Sequence, residues 1–484
     1  MAKQTFYSSK NLMKLLHKLM GLFFLLLIGK GLLAQKKLKS YNAIISGIPW
    51  FDNQGRIVSA HGANIIKENG KYYLFGEAHS DTSNAFVGFN CYSSKDLYNW
   101  KFERVALPVQ SSGRLGHNRV GERVKVMKCP ETGEYIMFMH TDTLSYRDPC
   151  ICYATSSTIN GVYKFEGPLL RNGKPIKKWD MGTFQDNDGV GYLLIHGGDI
   201  YKLSRDYKRI VAQVAKNIDP DGESPAMFKR HGIYYYLSSN RTSWERNDNY
   251  YFSANSIKGP WHFRGIFAPK GTLTWNAQTT FVLPIQGALD TSYMFMGDRW
   301  SFPLQASAAT YVWQPISFID TSISLSNYLD AWQVNNLTGR ISQKELCKGT
   351  IDSNDKIINY SSHWSALKIN DTLFSKRSNV KGASFSIKFD GRQIGFYSLV
   401  SSNGGYGKVV LFDKKGHQVL NCIVDMYSKY TASALKFLSP ILSKNQYVLT
   451  VTVLGKKSNW SDKRKSDYGS TGEFVSIEKA FINN

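Results

Sequence analysis

Cysteine is scarce, six in 484 residues, and no C-x-x-C pair occurs among them. That scarcity excludes a disulfide framework and the common zinc modules. Cys150 and Cys152 lie two apart on an expected strand, which separates them by about 6.6 Å, near the outer limit for a disulfide. They read as packed thiols. Acid is the minority charge, 37 Asp+Glu against 60 Lys+Arg, for a formal net charge of +23. Long hydrophobic runs are missing as well. The N-terminal apolar run, residues 19–29, has eleven residues, whereas a bilayer-spanning helix needs about 20. Lys3, Lys10, Lys14 and Lys18 precede that run, and Ala34 and Gln35 follow it. This is the layout of a secretory signal over residues 1–34. Its removal would delete five Lys and no acid, leaving +18. The expectation is an exported protein, periplasmic or extracellular, without stable membrane insertion.

The basic residues are scattered, with short clusters at Lys36-Lys37-Leu38-Lys39, residues 174–178 and residues 456–465. No nucleic-acid motif accompanies them, so no nucleic-acid partner is expected; a solvated basic surface or an acidic polysaccharide accounts for the charge. Aromatics are plentiful, at 28 Tyr, 27 Phe and 11 Trp, and 42% of residues are hydrophobic. The chain is therefore folded, not disordered.

A repeat runs through the first two thirds. Gly70-Lys-Tyr-Tyr-Leu-Phe75 returns as Gly133-Glu-Tyr-Ile-Met-Phe138, Gly191-Tyr-Leu-Leu-Ile195, Gly232-Ile-Tyr-Tyr-Tyr-Leu237 and Thr291-Ser-Tyr-Met-Phe-Met296. Each is a turn residue followed by a continuous apolar run, as in a strand buried on both faces. A serine turn with a bulky plug follows most copies, as in Ser94-Lys-Asp-Leu-Tyr-Asn-Trp100 and Ser256-Ile-Lys-Gly-Pro-Trp261. Five such units predict a five-bladed β-propeller over residues 35–335. Residues 336–349 read as a linker. Beyond it, Phe385, Ile387 and Phe389 alternate with polar neighbours, as do Tyr447, Leu449, Val451 and Val453. That period of two predicts a jelly-roll-like β-sandwich over residues 350–484. The fold class is all-β, with residues 35–345 expected to fold and act alone.

Polar residues at blade edges need explaining, because propeller loops converge on one mouth of the ring. Glu77, Glu122, Asp180, Glu223 and Gln278 stand next to apolar strands from different blades. Separated carboxylates among Trp and Tyr walls suit glycoside hydrolysis, which needs a proton for the leaving oxygen and a base for water. Asp180-Met-Gly-Thr-Phe184-Gln-Asp186-Asn-Asp188-Gly189 and Glu223-Ser-Pro225-Ala-Met-Phe-Lys-Arg-His-Gly-Ile-Tyr-Tyr235-Tyr-Leu-Ser238 resemble two motifs of glycoside hydrolase family 43. The resemblance covers residues 40 to about 335. It implies that Glu223 is the general acid and that Asp180 tunes it and orients the substrate.

One departure stands out. Most of the family carries its base in a first-blade H-D-P motif, and here the segment is His61-Gly62-Ala63. Gly62 replaces the base. Gly121-Glu122-Arg123-Val124-Lys125, Glu77, Tyr146-Arg147-Asp148 and Gln278 instead resemble the exo-β-1,3-galactanase subfamily, with Val124 in place of a proline. That likeness implies an inverting exo-hydrolase releasing galactose from β-1,3-galactan, the arabinogalactan backbone. The base is left open between Glu122 and Gln278. A neutral amide barely accepts protons, so Gln278 would hold water through its carbonyl oxygen. Tyr146, Thr242 and Asn276 are candidate hydroxyl partners, with Trp244, Trp275 and Trp300 as sugar platforms. The C-terminal domain resembles carbohydrate-binding sandwiches, some with a structural Ca²⁺; no other cofactor and no catalytic metal are implied. A polysaccharide or oligosaccharide partner and a monomeric state are expected. Two alternatives stay open: another activity of the family, α-L-arabinofuranosidase or β-xylosidase, and an inactive glycan-binding propeller.

Overall fold

Each apolar repeat is the second strand of an antiparallel sheet in the computed structural model, which describes residues 41–368, 370, 374–460 and 468–484. The expected signal, residues 1–34, lies outside the described residues. The first sheet runs His61–Glu68, Lys71–Glu77, Phe89–Ser94 and Lys101–Leu107; the second runs Arg119–Lys128, Tyr135–Thr143, Cys150–Ser156 and Lys164–Pro168. The third starts with Met181–Gln185, Gly191–Ile195, Asp199–Leu203 and Arg209–Ala215 and adds two short edge strands. Gly222–Arg230, Ile233–Asn240, Asn249–Ala254 and His262–Ile266 make the fourth, and Gln278–Gln286, Thr291–Arg299 and Thr310–Pro315 the fifth. Their first strands neighbour one another in cyclic order, the last returning to His61–Glu68.

The second strands are apolar throughout because sheets pack on both faces. Phe75 and Met137 share one core between the first two sheets, Phe138 and Leu193 the next, Leu194 and Tyr236 a third, and Leu237 and Phe295 a fourth. The serine turns close by local capping: Ser94 Oγ accepts the Leu97 amide at 3.0 Å, and Trp100 is buried beneath the turn. Ile44–Ile45 pairs with Ala331–Val334, and Ser46 Oγ donates to the Trp313 carbonyl at 2.6 Å, tying the early chain to the fifth sheet. Residues 336–349, read as a linker, contain the strand Ile341–Gln343 paired to Ala331–Val334.

Past residue 350 a five-stranded sheet and a four-stranded sheet dominate. Ser384–Gly391 and Asn445–Val453 bury the alternating residues expected from the sequence, and Phe385 meets Phe396 of the other sheet at 5.7 Å. The fold is almost entirely β, with only single helical turns among the described residues. No helix there is long and apolar enough to cross a membrane. The described cysteines are all free thiols.

Candidate active site

Three of the first strands share one irregularity. A bulge interrupts the register between His61 and Asn64, between Glu122 and Lys125, and between Glu223 and Ala226. Gly62, Arg123 and Ser224 each take a left-handed φ of 57° there. A bulge kinks its strand and re-aims a side chain. It turns Glu122 and Glu223 into one cavity of about 530 Å³. Glu77, Asp180, Gln278, Tyr146, Trp244 and Trp300 line the same cavity.

Arg123 ties these groups together. Its Nη2 donates to Gln278 Oε1 at 2.5 Å and lies 3.2 Å from Asp180 Oδ2, and its backbone N–H donates to Glu77 Oε1 at 2.6 Å. Trp300 Nε1 also donates to Gln278 Oε1, at 2.8 Å. Both partners are donors only, which fixes the amide orientation. Gln278 Nε2 then donates to Glu223 Oε1 and Ser239 Oγ, each at 3.0 Å. With two donors already on it, the Gln278 oxygen has no lone pair left for the water expected of it. Ser224 Oγ donates to Asp180 Oδ2 at 2.8 Å. Burial pushes the Asp180 carboxyl up, but Arg123 and His140 more than offset that and hold it below the usual carboxylate range.

Glu122 belongs to a second network. The Tyr146 hydroxyl donates to its Oε1 at 2.6 Å, and His140 Nδ1 lies 3.3 Å from its Oε2. His140 Nε2 lies 3.3 Å from Asp142 Oδ2. Burial disfavours charge on His140, yet Asp142 and Glu122 raise its pKa to about 9. Glu122, His140 and Asp180 offer atoms within 4.8 Å of one another, close enough for a metal. Each ring nitrogen of His140 has a carboxylate beside it, Glu122 at Nδ1 and Asp142 at Nε2.

Gly62 is explained by Glu77. A Cβ at residue 62 would lie 1.9 Å from Glu77 Oε1. The Glu77 carboxylate therefore occupies the space an aspartate side chain would enter. His61 turns away, with Nδ1 3.0 Å from Asp298 Oδ1 and its ring stacked on Tyr311 at 4.5 Å.

Three expected residues stand apart from the cavity. Leu273–Asn276 forms a left-handed turn, so Trp275 and Asn276 line a different, smaller cavity. Trp275 Nε1 donates to the Leu325 carbonyl and Asn276 Nδ2 to Ser428 Oγ, both at 3.2 Å. Thr242 Oγ1 donates to the Glu245 carbonyl at 2.9 Å, and its neighbours Arg241 and Ser243 reach the cavity instead. Arg123, His140, Asp142 and Trp179 line it without having been expected. His140 and Asp142, two apart on one strand face, were the available signal.

The wall bearing Trp244 and Trp300 leans on the C-terminal region. Both rings cluster with Tyr427 and Trp460. Glu245 Oε2 accepts the Tyr427 hydroxyl at 3.0 Å and the Gly469 amide at 2.8 Å. Asp425 Oδ2 accepts Ser301 Oγ at 2.8 Å and Ser458 Oγ at 2.6 Å, and lies 3.5 Å from Arg246 Nη2. These buried polar contacts run against the expectation that residues 35–345 act alone.

Comparison with known proteins places the chain. Residues 57–265 match the sequence profile of the glycosyl hydrolases family 43. The exo-β-1,3-galactanase of Phanerochaete chrysosporium, solved with galactose, is 25% identical over 91% of this chain and 99% of its own, with a TM-score of 0.68. A Bifidobacterium bifidum s17 structure, assigned provisionally as an exo-β-1,3-galactanase, is 34% identical over 59% of this chain and 96% of its own, with a TM-score of 0.55. A β-D-galactofuranosidase of Aspergillus niger is 28% identical over 207 residues, 40% of this chain; the chain spans 60% of that relative's length.

Proposed function

Because this chain belongs to glycosyl hydrolase family 43 and is a glycoside hydrolase, we propose that it is an exported, inverting exo-hydrolase of β-1,3-galactan that releases galactose. The reading takes the cyclic sheets as a five-bladed propeller whose mouth holds a single terminal sugar, with the sandwich of residues 350–484 packed beside it. The observation that carries it is the chain of contacts from Asp180 through Arg123 and Gln278 to Glu223. It supports Glu223 as the proton donor to the leaving oxygen, with Gln278 fixing the carboxyl and Asp180 held ionised beside it. Trp244 and Trp300 offer apolar faces to the sugar C–H surfaces. Glu122, backed by the positive His140, takes the proton of the attacking water, since the Gln278 oxygen is already occupied. Attack on the far face gives the α-anomer first. The galactanases among the structural relatives favour galactan over arabinan or xylan.

Incubation with β-1,3-galactan, arabinan and xylan tests the substrate, and early anomer-resolved NMR the stereochemistry. Azide separates the two bases: it should restore turnover to Glu122→Gly and not to Gln278→Gly. The opposite pattern moves the water to residue 278. Release of arabinose or xylose alone, or no sugar at all, would reject the reading.

A further inference from the structure

A smaller cavity, of about 130 Å³, opens between the fifth sheet and the C-terminal region. Trp275, Asn276, Arg299 and Tyr328 line it on one side, Tyr430 and Lys436 on the other. Three of its polar atoms lack a partner among the described residues. Lys436 stands in the strand Ala432–Leu438, is 4% exposed, and among the described residues its ammonium makes no hydrogen bond or ion pair. Arg299 Nε and Asn276 Oδ1 are likewise buried without a partner. The nearby acids are committed elsewhere. Asp425 serves Ser301, Ser458 and Arg246; Asp330, which itself lines the cleft, accepts the Tyr397 hydroxyl on Oδ2 at 2.9 Å, and burial pushes its carboxyl up towards the neutral form. Burial and the neighbouring Arg299 push Lys436 down to about 7, as befits a cation without its counter-ion.

The backbone is arranged to present this cleft. Leu273, Thr274, Trp275 and Asn276 all hold positive φ, between 51° and 58°, a conformation that costs free energy at every non-glycine residue. Arg299 Nη2 donates to the Trp275 carbonyl at 2.8 Å, and Asn276 Nδ2 to Ser428 Oγ, pinning the turn. Strain held in place by surrounding contacts clusters at ligand clamps. Buried polar atoms left unpaired in a native fold call for a partner.

We infer that this cleft binds a hexuronate, a sugar bearing a carboxylate. The carboxylate sits on Lys436 and Arg299, a ring hydroxyl donates to Asn276 Oδ1, and the C–H surface lies against Trp275 and Tyr328. The volume equals about four waters at ~30 Å³ each, enough for a carboxylate and the ring edge that carries it. The larger cavity is the less favourable place for a carboxylate, since Glu77, Glu122, Asp142, Asp180 and Glu223 outnumber Arg123, Arg241 and His140 along its wall. A uronate is therefore directed to one cleft and a neutral sugar to the other. The positive net charge, +18 once residues 1–34 are removed, draws in an anionic polymer from a distance. This site is separate from the hydrolytic one and does not rest on the reading given for it.

Calorimetric titration of the full chain with methyl glucuronide and methyl galacturonide, against methyl glucoside and acetate, tests the assignment. At least one uronide should bind at least tenfold more tightly than both controls. Lys436→Met should weaken that binding at least tenfold and leave hydrolysis at the larger cavity unchanged. The wild-type comparison stands even should the variant not fold. Equal binding of acetate or of the neutral glucoside, no binding of either uronide, or undiminished binding by folded Lys436→Met would overturn the inference.

Discussion

Aspartate at residue 62 would restore the pattern most of the family uses, and the geometry says this protein would not accept it. Gly62 has φ 57°, and its first side-chain carbon would lie 1.9 Å from Glu77 Oε1 and 2.9 Å from the carboxyl carbon. Holding any other residue left-handed costs about 1–2 kcal/mol. Displacing Glu77 breaks its 2.6 Å bond from the Arg123 amide, and a hydrogen bond to a charged group contributes about 1.5–3 kcal/mol. Together these come to about 2.5–5 kcal/mol, a large share of the ~5–15 kcal/mol that keeps a domain folded. Gly62→Ala should lose nearly as much as Gly62→Asp, because the offending atom is Cβ and not the added charge. Removing Glu77 as well, in Gly62→Asp/Glu77→Gly, should return part of the loss, a coupling expected of groups in contact. Urea unfolding followed by tryptophan fluorescence reads the stability, and kcat/KM on β-1,3-galactobiose reads the site. A Gly62→Ala protein with the wild-type midpoint and full activity would refute the reasoning, since Glu77 would then be free to move.

Glu223→Gln keeps an oxygen for the Gln278 amide but loses the transferable proton, so kcat on galactan should fall about 10²–10⁴-fold. An aryl galactoside with a good leaving group should be much less impaired; equal loss on both substrates would remove Glu223 from the acid role. Deleting residues 350–484 strips Tyr427, Asp425 and Trp460 from the wall that carries Trp244 and Trp300, so residues 35–349 should be inactive on galactobiose, and a folded, fully active fragment would contradict this. His140 has a folded pKa of about 9, raised above the ordinary 6.5, so its ion pairs stabilise fully below about pH 6.5 and fade as pH rises through about 9. The stability gap between wild type and His140→Asn should narrow over that window; a gap that is flat or widens would show the imidazole is not held charged. Taking the difference cancels the buried Lys125 and Lys436, whose lowered pKa values act with the opposite sign.

The strand repeat was legible because a strand covered on both faces must be apolar at every position, and runs such as Tyr135–Thr143 carry that mark. The alternation at Phe385, Ile387 and Phe389 marked a sheet buried on one face for the same reason. Glu77, Glu122, Asp180, Glu223 and Gln278 could be singled out from order and local pattern, and they do share one cavity. What could not be read is direction. Trp275 and Asn276 sit within three residues of Gln278, yet a left-handed turn swings them to another cleft. Arg123 is one letter in a motif until the bulge at Glu122 points its side chain into the centre. His140 hid inside an apolar run, where a single imidazole resembles a packed core residue until its two carboxylate partners are placed.

The bulge that recurs at residues 61–64, 122–125 and 223–226 separates an address from its occupant. Three strands in different sheets make the same kink, so the scaffold supplies equivalent stations before any side chain is chosen for them. A carboxylate stands at two, while at the third histidine leads and glycine follows, leaving room for a neighbour on the adjacent strand to fill the gap. Under such an arrangement a catalytic group can be lost at one station and its duty assumed at another with no change to the backbone. The ring tolerates rearranged chemistry because its symmetry belongs to the main chain and its asymmetry to the residues.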